Sequence, residues 1–324
     1  MMYRIQVSPQ DVAASRFAIS PMVETSAALR TVNGFHPAGA LRPWAERMRE
    51  PYRRILGASA GLRALVALFR HNGYNADFVS PPPISVVARF EDELERVRST
   101  PPDQARSEIE RNLEGHAVPG EARAILTSPD VVEIIADALE LAWRHLVEPE
   151  WPRFSAILER DVVQRGGRLT SYGWAAALDD LDPHLRWDPA GLIELRDGIS
   201  QLNEHALDGR GLLFVPSVFI PKVICYLEEA WPYAMVYPAR GVGAPDGRAA
   251  GALEGLIGRS RARILVELAV PATTSQLAAH LALSLGATGE HVTALRRSGL
   301  IIGSRTGRSV LYQRTPLGDA LVTP

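Results

Sequence analysis

The chain has 324 residues, 46% of them hydrophobic and 22% charged, which is the composition of a globular protein with material for more than one core. No apolar run approaches the roughly 20 residues needed to span a bilayer, and Met1-Met2-Tyr3-Arg4-Ile5-Gln6 lacks the apolar stretch of a signal peptide; the expectation is a cytoplasmic protein with no membrane partner. The net charge of −2 hides an asymmetry: residues 251–324 hold eight arginines (259, 261, 263, 296, 297, 305, 308, 314) against four acids (254, 267, 290, 319), a surplus of +4 that leaves −6 on residues 1–250.

Tyr3, Ile5 and Val7 alternate as one face of a short strand. Ser8-Pro9-Gln10-Asp11 and Ser20-Pro21-Met22-Val23-Glu24 each read as a helix start, with a serine cap, proline at the first helical position and an acid in the first turn. Helices are predicted over 41–49, 52–70, 84–98, 103–114, 130–147, 151–165 and 190–206. Within the fifth, Val131, Ile134, Ile135, Ala138, Leu141 and Ala142 form an apolar stripe at helical spacing. Leu212-Leu213-Phe214-Val215 and Ala234-Met235-Val236-Tyr237 read as strands that could join the first in a small sheet. Residues 241–252 are small and glycine-rich, which suits a linker between a domain at 1–240 and one at 253–324.

The last segment carries the strongest pattern. A first helix is predicted from Leu253 to Ala269, burying Leu256, Ile257, Ile264, Leu265 and Leu268. Thr273 and Gln276 make a capping box for a second helix that buries Leu277 and Leu281. Ser284 caps a third helix over 285–298, with Val292 and Leu295 inward and Gly299 as its stop. Strands at 300–305 and 309–314 flank Thr306-Gly307-Arg308, a hairpin with a basic tip, and Thr315-Pro316-Leu317-Gly318 opens a short last helix. Helix, helix, turn, helix, then hairpin is the winged helix-turn-helix order, in which the third helix fits the major groove. The fold class expected is therefore mainly α (α+β): a multi-helical N-terminal domain with a small sheet, then a C-terminal winged helix.

The stretch Ala287 to Gly299, continued by Leu300-Ile301-Ile302 and Gly307-Arg308-Ser309-Val310-Leu311-Tyr312, resembles the ArsR-type winged-helix regulators. In that family an S-x-H-L helix ends in L-R-x-x-G-L and the wing reads G-R-x-x-x-Y; His291-Val292, Leu295-Arg296, Gly299-Leu300, Gly307-Arg308 and Tyr312 carry the likeness over 253–321. Arg4 to Val7 with Asp11, Arg16 to Pro21, and Tyr237 to Gly241 more loosely resemble an N-terminal domain attached to such winged helices in actinobacterial-type regulators. The resemblance implies a dimeric repressor on a pseudo-palindromic operator, with double-stranded DNA and a second copy as partners. The short last helix (317–321) offers little dimer surface, so the N-terminal domain is expected to supply the dimer contacts and a place for a small-molecule effector. The candidate DNA-binding residues are Ser284, Thr288, Gly289, Glu290, Thr293, Arg296, Arg297, Arg305, Thr306 and Arg308. Where the family places Ser and Arg to reach base edges, this chain has Gly289 and Glu290, so direct readout is expected to be thin.

Metal sensing, a habit of that family, lacks its ligands: Thr273, Thr274 and Ser275 stand where a thiolate pair is expected, Cys225 is the only cysteine, and the eight histidines are scattered. No metal or cofactor is expected. Gly57-Ala58-Ser59-Ala60-Gly61 matches a nucleophile elbow as a string, but it lies inside a predicted helix and lacks the strand that an elbow requires. No catalytic constellation stands out, so the expectation is not an enzyme. The alternatives that stay open are a small-molecule enzyme with an appended winged helix and a protein-interaction module.

Overall fold

The computed structural model describes residues 2–71, 74–178, 181–196, 202–242, 253–268, 271–281, 283–306 and 309–322. It divides into two compact units, 1–242 and 243–324. Residues 243–252, most of the expected linker, lie outside the described residues.

The first unit is a helical layer with two small sheets. Strand β1 (Met2–Gln6) sits between β4 (Leu192–Arg196), antiparallel, and β5 (Leu202–Ala206), parallel; β3 (Leu185–Asp188) completes that sheet beyond β4. The second sheet has the order β2 (Arg16–Phe17), β6 (Leu213–Ser217), β8 (Ala234–Pro238), β7 (Ile224–Tyr226), the first three parallel. The apolar runs at 212–215 and 234–237 therefore form strands as expected, but in a different sheet from β1. Both faces of this sheet are covered, which accounts for unbroken apolar runs in place of alternation. Phe214 and Met235 point into a core shared with Ile5, Ile193 and Trp174. Their neighbours Val215 and Val236 point the other way, into the helical core.

Ser8 and Ser20 cap α1 (Pro9–Ala14) and α2 (Pro21–Val32) as their positions predict, each hydroxyl accepting a backbone N–H three residues on. Three other predicted boundaries move. Helix α3 (Arg42–Ala58) runs through Pro51, and the break falls at Ser59, whose hydroxyl accepts from the Leu62 amide at 3.0 Å to cap α4 (Ala60–Val66). The helix expected over 84–98 begins only at Phe90 as α5 (Phe90–Arg98); residues 84–86 bend instead, and Val87 bridges Ile19. The expected helix over 190–206 is instead β4 and β5. Its apolar residues Ile193 and Leu195 have period two, and Gly191, at φ 86°, turns the chain against the Val7 carbonyl, where a Cβ would clash.

Helices α6 (Pro102–Leu113), α7 (Gly120–Leu126) and α8 (Val131–Ala142) follow, with a π-helical turn over Trp143–Val147. Then α9 (Trp151–Leu178) runs well past its expected end and is interrupted at Gly173, φ 79°. From it Asp161 and Arg165 enter the core together: the Arg165 Nε donates to Asp161 at 3.1 Å and Tyr237 Oη donates to the same carboxylate at 2.8 Å. No described helix is long and apolar enough to cross a membrane.

The second unit holds a helical turn over 253–257, α10 (Arg259–Glu267), α11 (Thr274–Leu281), α12 (Leu285–Arg297), the hairpin β10 (Ile301–Thr306)/β11 (Ser309–Arg314) and α13 (Pro316–Val322). A two-residue strand, β9 (Ala272–Thr273), pairs with β11. The first helix is not continuous as expected: Gly258 takes φ 82° and breaks it, leaving Leu256 exposed in place of buried. The remaining core is as the stripes predict, with Ile264, Leu265, Leu277, Val292, Leu295 and Ile301 packed together.

Candidate nucleic-acid interface

Helix α12 exists where it does because of its two ends. The Ser284 hydroxyl accepts from the Ala287 amide at 3.2 Å. At the other end Gly299 takes φ 71°, so that the Leu300 amide reaches the Leu295 carbonyl at 3.0 Å, a Schellman closure that needs a residue tolerant of left-handed backbone. Thr288, Val292 and Leu295, spaced four and three apart, are buried. The opposite side exposes Gly286, Glu290, Thr293 and Arg297, with Arg296 beside them.

Thr288 is thus a correction to the sequence reading. Its side chain is fully buried and its hydroxyl donates to the Ser284 carbonyl at 2.9 Å. It faces the core of its own unit and has no surface to offer a duplex. Gly289 is half-buried, whereas Ser284, Glu290, Thr293, Arg296 and Arg297 are exposed.

The hairpin is held in fixed register, Ile301 opposite Arg314 through Thr306 opposite Ser309. The Tyr312 ring lies over Gly303, its cross-strand partner, where a Cβ would come within 3.0 Å of it. At the base, the Thr315 hydroxyl donates to the Gly299 carbonyl at 2.7 Å and accepts from the Gly318 amide, joining the end of β11 to the start of α13. Arg305 stands exposed on β10 near the tip. The Thr306 side chain, Gly307 and Arg308 lie outside the described residues.

Ion pairing separates these arginines. Arg314 is taken up by Asp319 at 2.8 Å, and Arg263 leans on the Leu281 carbonyl. Among the described residues no acid pairs with Arg259, Arg261, Arg296, Arg297 or Arg305, all exposed. Arg259 and Arg261 were missing from the sequence-derived site, though three arginines within 259–263 were visible there. They stand in the first turn of α10, whose N-terminus has no side-chain cap, so cations sit at the positive end of a helix with open amides. An anion relieves both conditions.

The Gly57–Gly61 string has a structural explanation. Ser59 is the α4 cap, and Gly61 packs so closely on Ile134 of α8 that a Cβ would lie 2.8 Å from its side chain. Thr273 and Gln276 form their reciprocal capping box, the Thr273 amide donating to Gln276 Oε1 at 2.8 Å. Among the described residues no group of three or more His, Cys, Asp or Glu could hold a metal ion. Comparison with known proteins finds no family model, no curated relative and no solved structure that matches the chain.

Proposed function

We propose that the chain is a DNA-binding transcriptional regulator of the ArsR-type winged-helix class, a homodimeric repressor of which the 243–324 unit contacts double-stranded DNA and the 1–242 unit carries dimer and effector contacts. The observation that supports this reading best is the coincidence of two things. The helix, helix, helix, hairpin order of the second unit puts α12 and β10 in sequence, and their exposed arginines 296, 297 and 305 have no acidic partner among the described residues. Unpaired guanidinium groups on a helix and hairpin suit phosphate contacts, which position a protein on a duplex. The resemblance of residues 253–321 to that family supplies the sign of regulation.

The test is fluorescence anisotropy of the full chain with duplex DNA from upstream of its own gene, against a scrambled duplex, over a range of salt. The expected result is tighter binding to the native duplex, with log affinity falling linearly in log salt. Arg305→Ala should weaken binding to both duplexes and reduce the salt slope by about one unit per chain, the signature of one lost phosphate contact. Equal, weak binding to both duplexes that Arg305→Ala leaves unchanged would overturn the reading and favour the protein-interaction alternative, which the scarcity of base-reading side chains on α12 also fits.

A further inference from the structure

Arg30 stands in the last turn of α2, and Gly34, at φ 80°, folds the chain back so that the Phe35 and His36 amides reach the Arg30 carbonyl at 2.8 and 3.2 Å. Residues 69–71, which follow α4, meet this turn. The Arg30 guanidinium lies over the Phe69 ring, 4.3 Å from its centroid. Phe35 packs edge-on against the same ring at 5.7 Å, and the His71 ring stacks on Phe35 at 4.5 Å. Two phenylalanines thus bring Arg30, His36 and His71 together from both sides of the turn.

Among the described residues no carboxylate pairs with any of the three. The Arg30 Nη2 donates to the Asn75 side chain at 2.8 Å, while Nε and Nη1 make no hydrogen bond and reach solvent. His71 is exposed and neither of its ring nitrogens has a partner. His36 is half-buried, and its Nδ1 is buried without a hydrogen bond. The acids of the neighbourhood are held elsewhere: Asp77 by Tyr74 at 3.3 Å, Glu108 by the Phe78 amide at 2.7 Å and Gln104 at 2.9 Å, Glu228 by Arg111 at 3.1 Å. The crowding of like charge has a cost. Burial pulls Arg30 down to about 10, although a helix C-terminus favours a cation. Burial, with the charges of Arg30, His71 and Lys222, lowers His36 to about 4. An oxyanion placed among these groups offsets both effects and meets open donors.

We propose that this cluster binds a small organic anion, whose carboxylate or phosphate group sits on the open N–H groups of Arg30 and beside His71 and His36. The binding itself does not depend on the nucleic-acid reading; only the use of this site for an effector does. A purely structural role for Arg30 explains less. Tying α2 to the 69–75 turn uses one of its five N–H groups and needs no second basic group beside it. The half-burial of Arg30 also admits a headgroup and not the broad backbone of a duplex.

The test uses the full chain without DNA, so that its failure says nothing about the DNA reading. Sodium benzoate and sodium phosphate are titrated in turn, with sodium chloride holding the ionic strength constant, and the histidine ring resonances are followed by nitrogen-15 NMR. At least one of the two anions should shift His36 and His71 saturably and leave the remaining histidines in place. Tighter benzoate marks a carboxylate ligand, tighter phosphate a phosphate ester, and either supports the site. Arg30→Gln, which keeps an amide donor for Asn75, should weaken binding at least tenfold. His71→Gln, at an exposed position, should weaken it severalfold, read at His36. Arg49→Gln, an exposed arginine of α3, should change nothing. Circular dichroism checks that the variants fold; if Arg30→Gln does not, His71→Gln decides. No saturable shift with either anion, shifts spread evenly over all the histidines, or affinity unchanged in the deciding variant would each overturn the proposal.

Discussion

Glu24 makes the stability of the first unit depend on pH in a direction opposite to that of most carboxylates. It stands in the first turn of α2 with no solvent exposure, its Oε2 accepting from the Val218 amide at 3.1 Å and its Oε1 without a hydrogen-bond partner. Burial pushes its pKa up to about 8, against the lowering effect of hydrogen bonds from Ser217 and Val218. The folded value lies above the unfolded one, so the native state holds the proton more tightly. The protonated group's contribution is complete below the unfolded pKa and is lost as pH rises towards about 8. A shift from 4.5 to about 8 corresponds to about 5 kcal/mol in full, of which about 3 kcal/mol is lost between about pH 5.5 and 8. Glu24→Gln has the shape of the protonated acid, keeps an acceptor for Val218 and cannot ionise. Its stability relative to the parent should therefore grow by about 3 kcal/mol over that interval. Urea unfolding followed by tryptophan fluorescence isolates the effect, because all six tryptophans fall between residues 44 and 231. Burial also raises Glu93 and Asp77 to about 7, so the parent alone has a compound slope, and the difference between the two proteins is the informative quantity. A difference that stays constant with pH would refute the reasoning.

Two further changes test the second unit. Gly318→Ala would drive a methyl group into the Leu300 carbonyl, a backbone atom that cannot turn aside, and should destabilise the unit by about 1–3 kcal/mol; faster amide exchange in α13 and β10 would register it, and unchanged exchange would count against the packing described. Glu290→Gln removes the one acid on the exposed side of α12 and should tighten binding to any duplex while lowering the preference for the native one; weaker binding to the scrambled duplex would contradict that placement.

What the sequence revealed and what it hid divide along the range of the interactions involved. The α12 cap at Ser284, its stop at Gly299 and the Thr273–Gln276 box are set by residues a few positions apart, and the chain carries them openly. The β-hairpin was legible for the same reason. Strands β4 and β5 were not, because they are completed by β1, almost two hundred residues away, and their apolar residues also fit a helical period. Thr288 was misplaced at the site for a subtler reason: its hydroxyl is satisfied by the Ser284 carbonyl inside its own helix, so a polar residue can lie on the buried face. Arg259 and Arg261 were visible as charge. Their relation to an uncapped helix start required the break at Gly258, which the apolar stripe across it concealed.

Under the DNA reading, α12 sets a limit on how sequence could be recognised. Its exposed side offers Gly286, Glu290, Thr293 and Arg297. Glycine presents no group to a base edge, and glutamate meets only the cytosine amino group while repelling phosphate. A good bidentate base contact discriminates by about 1–3 kcal/mol, so one such helix supplies little of the roughly 4–10 kcal/mol that separates specific from non-specific binding. The arginines of α10, α12 and β10 add affinity that does not depend on sequence. Specificity of the usual size must then come from pairing two chains on spaced half-sites, or from the ease with which a particular duplex bends to meet them. A single copy of this unit on an undeformed duplex would hold DNA by its backbone and leave most of the sequence unread.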